Sequence, residues 1–142
     1  SAERQLARSR AVVDFYARMF EGVAPEHALG QALAPVTLLE RAERLLAAAP
    51  PEDATLRGEL SASLGALYQR LGDGTNAVRL LQQALDAPTD PDAHGGLQRA
   101  DREQLLAIML FDLGRNDEAL AAAERAKALR LEHAPDDLRL HW

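Results

Sequence analysis

Leu64-Gly65-Ala66-Leu67-Tyr68-Gln69-Arg70-Leu71-Gly72 runs directly into Asp73-Gly74-Thr75-Asn76-Ala77-Val78-Arg79-Leu80-Leu81-Gln82-Gln83-Ala84-Leu85. Apolar residues recur at three- and four-residue spacing on both sides of Gly72, the pattern of two amphipathic helices joined by a glycine turn. The pattern returns 42 residues away in both directions. Gly72 has counterparts in Gly30 and Gly114, Ala84 in Ala42 and Ala126, Leu81 in Leu39 and Ala123, and Ala77 in Ala119. Four registers sharing one period predict three helix-turn-helix units. Small residues at equivalent positions let helix backbones approach, and a two-helix unit buries its apolar faces only by stacking on its neighbours. The expected fold class is an all-α solenoid of about six helices.

Working outward, prolines and glycines divide the chain into units at about 3–50, 52–90 and 91–135, with a tail at 136–142, all in one domain. The first helix runs from about Glu3 to Phe20. Thr37-Leu38-Leu39-Glu40 reads as a capping box opening the second, which Pro50-Pro51 stops. The third covers about 52–71 and the fourth about 75–87. Asp90-Pro91-Asp92 offers an N-cap carboxylate with proline at the first helical position. Gly95-Gly96 is a poor helical pair, which moves the expected start of the fifth helix to Leu97. It ends before Gly114, and the sixth spans about 116–132.

Composition agrees. Of 142 residues, 53 are Ala or Leu and only 10 are Val, Ile or Thr, which leaves little material for a sheet. No cysteine is present, so disulfides, thiolate nucleophiles and cysteine metal sites are excluded. The net charge of −6 falls entirely after residue 50 and no basic stripe exists, which argues against nucleic acid as a partner. No stretch is long and apolar enough to insert into a bilayer. Arg4, Arg8 and Arg10 read as a solvated helix face, with a position near a membrane surface as the alternative.

Motifs for chemistry are sparse. No GxGxxG or GxxxxGK pattern occurs, and His27, His94, His133 and His141 are dispersed without HExxH spacing. Asp90, Asp92 and His94 form an acidic loop ahead of a helix rather than a metal site. Ser61 and Ser63 have no evident histidine base, and Glu59 with Asp101 reads as surface polarity. Neither an enzyme nor a cofactor is expected.

The stretch from Leu64 through Gly65, Tyr68, Gly72, Ala77, Leu81 and Ala84 to Leu85 closely resembles a tetratricopeptide repeat. Leu106, Ala107, Leu110, Gly114, Ala119, Ala123 and Ala126 match more loosely. The long spacing and the ending Glu132-His133-Ala134-Pro135-Asp136-Asp137 are similar to a long-loop subclass found in kinesin light chains and bacterial regulators. Residues 2–87 further resemble the tetratricopeptide region of bacterial membrane-anchored serine/threonine kinases, through Arg10-Ala11-Val12-Val13-Asp14-Phe15-Tyr16-Ala17-Arg18-Met19-Phe20 and Thr37-Leu38-Leu39-Glu40-Arg41-Ala42-Glu43-Arg44. The resemblance implies a right-handed superhelix serving as a protein-interaction or regulatory sensing module within a larger signalling protein. A structural or dimerising spacer is the alternative. It also implies a membrane-anchored parent with this region on the periplasmic side, or alternatively in the cytoplasm.

In such repeats the first helix of each unit lines a concave face. That maps Glu59, Ala62, Ala66, Gln69 and Arg70 to the groove from unit two, and Asp101, Gln104, Ile108, Phe111 and Asp112 from unit three. Leu105-Leu106-Ala107-Ile108-Met109-Leu110-Phe111 is apolar on every side of a helix. Leu106 and Leu110 serve packing, so Ile108 and Phe111 require another cover. The tail with Leu138, Leu140 and Trp142, the first helix, a bound peptide or protein, and a second copy are the alternatives. In the sixth helix Ala119, Ala122, Ala123 and Ala126 form a packing face opposite Arg115, Glu118, Glu124, Arg125, Lys127 and Arg130.

Overall fold

A computed structural model of the chain describes residues 2–20, 35–48 and 52–133. Among these residues there are six helices and no strand. They are α1 (Ala2–Phe20), α2 (Pro35–Ala48), α3 (Ala54–Arg70), α4 (Gly74–Asp86), α5 (Ala93–Asp112) and α6 (Asn116–His133). The closest pairs are α3 with α4 and α5 with α6. Helix α4 lies against α5, α2 against α3, and α1 against both α2 and α3. Consecutive helices therefore pack in pairs, the coarse arrangement of a helical solenoid. Gly30, Pro25 and the tail carrying Leu138, Leu140 and Trp142 lie outside the described residues.

The two hairpin turns are built alike. Gly72 and Gly114 have φ of 80° and 78°, a left-handed conformation that costs glycine nothing. At the first turn Gly72 N–H donates to Gln69 O and Asp73 N–H to Tyr68 O, both at 2.9 Å. At the second, Gly114 donates to Phe111 and Arg115 to Leu110, again at 2.9 Å. This pair of bonds satisfies helix-end carbonyls and turns the chain back on itself. The hairpins close tightly because small residues face one another. A Cβ on Gly65 would lie 3.2 Å from the Ala77 carbonyl.

One core runs through all six helices, from Phe15 of α1 and Leu39 of α2 to Ala119 and Ala122 of α6. The residues expected there from the repeat, Leu64, Tyr68, Ala77, Leu81, Ala84 and Leu106, are all buried. Tyr68 carries a polar link as well. Its hydroxyl donates to Glu43 Oε2 at 2.9 Å, and Arg79 holds the other carboxylate oxygen, tying α2 to α3 and α4.

Helix starts differ from the sequence reading in two places. Helix α2 begins at Pro35, so Thr37 lies inside its first turn rather than ahead of it; proline suits that position because its missing N–H has no partner to lose. Helix α5 begins at Ala93, with Asp92 as N-cap accepting from Gly95 N–H at 3.0 Å. Gly95-Gly96 is thus inside the helix. A side chain on Gly95 would strike the Asp90 backbone, and one on Gly96 the His133 ring at the end of α6. The pair weakens helix propensity and in return allows two close approaches. In α6, Ala119, Ala122 and Ala126 are buried as expected, but Ala123 is exposed, because nothing among the described residues packs on its side of the helix.

Candidate functional site

Six of the ten groove residues line two different clefts. Glu59, Ala62 and Asp101 line a cleft of about 440 Å³ together with Val12 of α1, Arg102 and Leu105. Helix α1 is held at this end by Arg8, whose Nη1 lies 3.3 Å from both Glu59 Oε1 and Asp90 Oδ2. Arg8 is consequently not the solvated residue that the cationic start of the chain implies, and Asp90 is an ion-pair partner rather than a helix cap. The hydrogen bond from Arg8 holds the Asp90 carboxyl below its ordinary range. Asp101 pairs with Arg130 at 3.2 Å. Gln104, Ile108 and Phe111 line a different groove, whereas Ala66, Gln69, Arg70 and Asp112 line neither.

That second groove, of about 590 Å³, lies between α5 and α6 and is walled by Ala107, Ile108, Phe111, Ala119, Leu120 and Ala123, with Gln104 and Asn116 its polar members. Ile108 is 46% exposed, Leu120 61% and Phe111 67%. Neither α1 nor any other described element covers them. Their equivalents one repeat earlier behave oppositely. Val78, the counterpart of Leu120, is 3% exposed, and Leu81, the counterpart of Ala123, is fully buried. Ala66 and Gln69, the counterparts of Ile108 and Phe111, are half-buried.

Helix α5 makes the difference, because it lies on α4. Arg99 donates to the Leu85 carbonyl at 2.6 Å and Arg102 to that of Ala84 at 3.2 Å, closing the C-terminal end of α4 with positive charge where the helix dipole favours it. At the other end of α4, Leu113 comes within 3.2 Å of where a Cβ on Gly74 would stand. Among the described residues the last hairpin carries the same face without a covering helix. Ala107, Asn116, Ala119, Leu120 and Ala123 are the residues of this groove that the sequence reading missed, and the signal for Leu120 and Ala123 was their 42-residue offset from Val78 and Leu81.

The charged face of α6 is also less solvated than its sequence suggests. Arg125 Nε donates to both carboxylate oxygens of the buried Glu103 at 3.1 Å, which with the Asp101–Arg130 pair ties α6 to α5. For catalysis the described residues offer little that is assembled. Ser61 is buried, His94 is exposed and His133 packs against Gly96. Among the described residues no three His, Asp or Glu side chains gather as metal ligands, and no helix is long and apolar enough to cross a membrane. The chain matches no model of a known protein family and no curated protein.

Proposed function

We propose that this chain is a protein-interaction module of tetratricopeptide-like repeats, and that its contact surface is the end groove between α5 and α6. The carrying observation is the reversal of burial across one repeat. Val78 and Leu81 are covered, while Leu120, Ile108 and Phe111 stand open together. Single exposed apolar residues are ordinary on a protein surface, but a contiguous set in a concave groove marks a place of contact. The repeat register of Gly72 with Gly114 and the matching turn hydrogen bonds support the repeat assignment. The resemblance of α1 and of residues 37–44 to the regulatory region of membrane-anchored serine/threonine kinases supports a role in signalling, with partner occupancy read out by the rest of the parent protein.

Replacing Phe111 with Ser tests the reading. The variant is expected to unfold in urea within about 0.5 kcal/mol of the unaltered chain, as an exposed substitution should. Its association in solution, with itself or with an added partner, is expected to fall. If the variant loses stability and its association is unchanged, Phe111 is ordinary core and the contact surface lies elsewhere.

A further inference from the structure

We propose that the seat of α1 is a second interaction site, one that takes a basic amphipathic helix of a partner protein, with α1 as its resident and displaceable occupant. The repeat register sets α1 apart. The 42-residue period carries α3 back to 12–28, whereas α1 covers Ala2–Phe20. It is therefore out of step with the helices that open the other two units. It leans on α2 and α3 and reaches the loop before α5 through Asp90.

Its hold is narrow. Arg8, Ala11, Val12, Phe15 and Tyr16 form one stripe at three- and four-residue spacing, and of these only Phe15 is buried. Leu6 and Val13, on the remaining surface, are exposed. A helix fixed by so little apolar burial opens locally, at a free energy below that of the whole fold.

The fit is also incomplete, which leaves room for a better occupant. A cleft of about 440 Å³ remains beside Val12, walled by Ala62, Leu81 and Leu105. Valine is too small to fill it. The Arg8 side chain is only 10% exposed, yet its Nε has no hydrogen-bond partner. Its Nη1 serves both Glu59 and Asp90. The other charged groups that line the cleft are engaged elsewhere, Arg102 with the Ala84 carbonyl and Asp101 with Arg130. Without Arg8, Glu59 would lose its ion pair and Asp90 the bonds that hold its carboxylate. The seat thus selects a cation at this point and, one turn later, an apolar side chain larger than valine.

The probe is a fluorescein-labelled synthetic peptide copying residues 2–20 with Val12→Leu, followed by fluorescence anisotropy with the full 142-residue chain. Apparent affinity scales with the fraction of chains whose seat is open. Arg8→Glu in the chain sets like charges against Glu59 and Asp90 and frees the seat, so it should tighten binding by about tenfold or more. To that variant the peptide without Val12→Leu should bind more weakly, and a peptide carrying Arg8→Glu should not bind. Adding Glu59→Gln and Asp90→Asn to the variant chain should weaken binding by about tenfold. Equal binding to both chains, no saturable binding, or binding indifferent to the carboxylate substitutions overturns the inference. If the peptide fails while light scattering shows the unaltered chain as a dimer that Arg8→Glu dissociates, the seat exchanges α1 only between copies, and the partner helix is wrong. Arg8→Ala is the milder companion variant. Loss of cooperative urea unfolding in both Arg8 variants would make α1 an integral part of the fold and overturn the inference. None of the substituted residues lines the end groove, so this inference and the interaction reading above fail separately.

Discussion

Ala84 is fully buried in α4, with its carbonyl accepting from Arg102. One turn further on, the Ala87 Cβ already lies 2.8 Å from where Gly58 of α3 would carry its own. A larger side chain at 84 has nowhere to go, so Ala84→Leu is expected to overpack the contact and cost about 1–3 kcal/mol, read as a lower urea midpoint. Tyr68 makes a separate case. Removing its hydroxyl in Tyr68→Phe takes a donor from Glu43 while Arg79 stays in place, a loss of about 0.5–1.5 kcal/mol at neutral pH. Burial, and next the hydrogen bond to Glu43, push the Tyr68 phenol above its ordinary value. The folded chain therefore keeps a proton that the unfolded chain releases. Stability should fall as pH rises beyond about 10, and Tyr68→Phe should flatten that alkaline limb.

At the scale of the helices, the sequence spoke clearly wherever a local signal was unopposed. Gly72 and Gly114 mark turns that only a left-handed residue closes easily, and both hairpins are where the period puts them. It misled at Gly95-Gly96, since helix propensity is local and the two contacts that require glycine there come from Asp90 and His133. Gly95→Ala is accordingly expected to destabilise the chain by about 1–3 kcal/mol although alanine is the better helix former, and thermal unfolding would show it. Helix α1 depends on charge. Arg8 lowers the Asp90 pKa, so this part of its attachment is present above the usual carboxylate range and is lost as pH falls through the depressed value, below about 4. Acid titration followed by the aromatic NMR signals of Phe15 and Tyr16 should show α1 loosening ahead of the hairpins. In Asp90→Asn the loosening should already be present at neutral pH and no longer follow that titration.

Across the whole molecule, what matters is which faces of the stacked hairpins are covered. The apolar run from Leu105 to Phe111 shows in the sequence that α5 has more apolar surface than one neighbour needs. Spacing alone could not say that Met109 would be buried while Ile108 and Phe111 stay open, because that depends on which elements pack on each side. Nor could it bring Leu120 and Ala123 into the groove without treating Val78 and Leu81 as their covered equivalents. The central claim is that, among the described residues, equivalent faces of the two hairpins differ in burial because one has a covering helix. Because the chain contains no cysteine, single-cysteine variants test this cleanly. Val78→Cys and Leu120→Cys would be reacted with a thiol reagent under native conditions. The account predicts that Cys at 120 labels nearly as fast as in unfolded chain, whereas Cys at 78 labels only through unfolding, slower by orders of magnitude. Equal protection at both positions would mean that the last face is already covered within the chain, and would contradict the account.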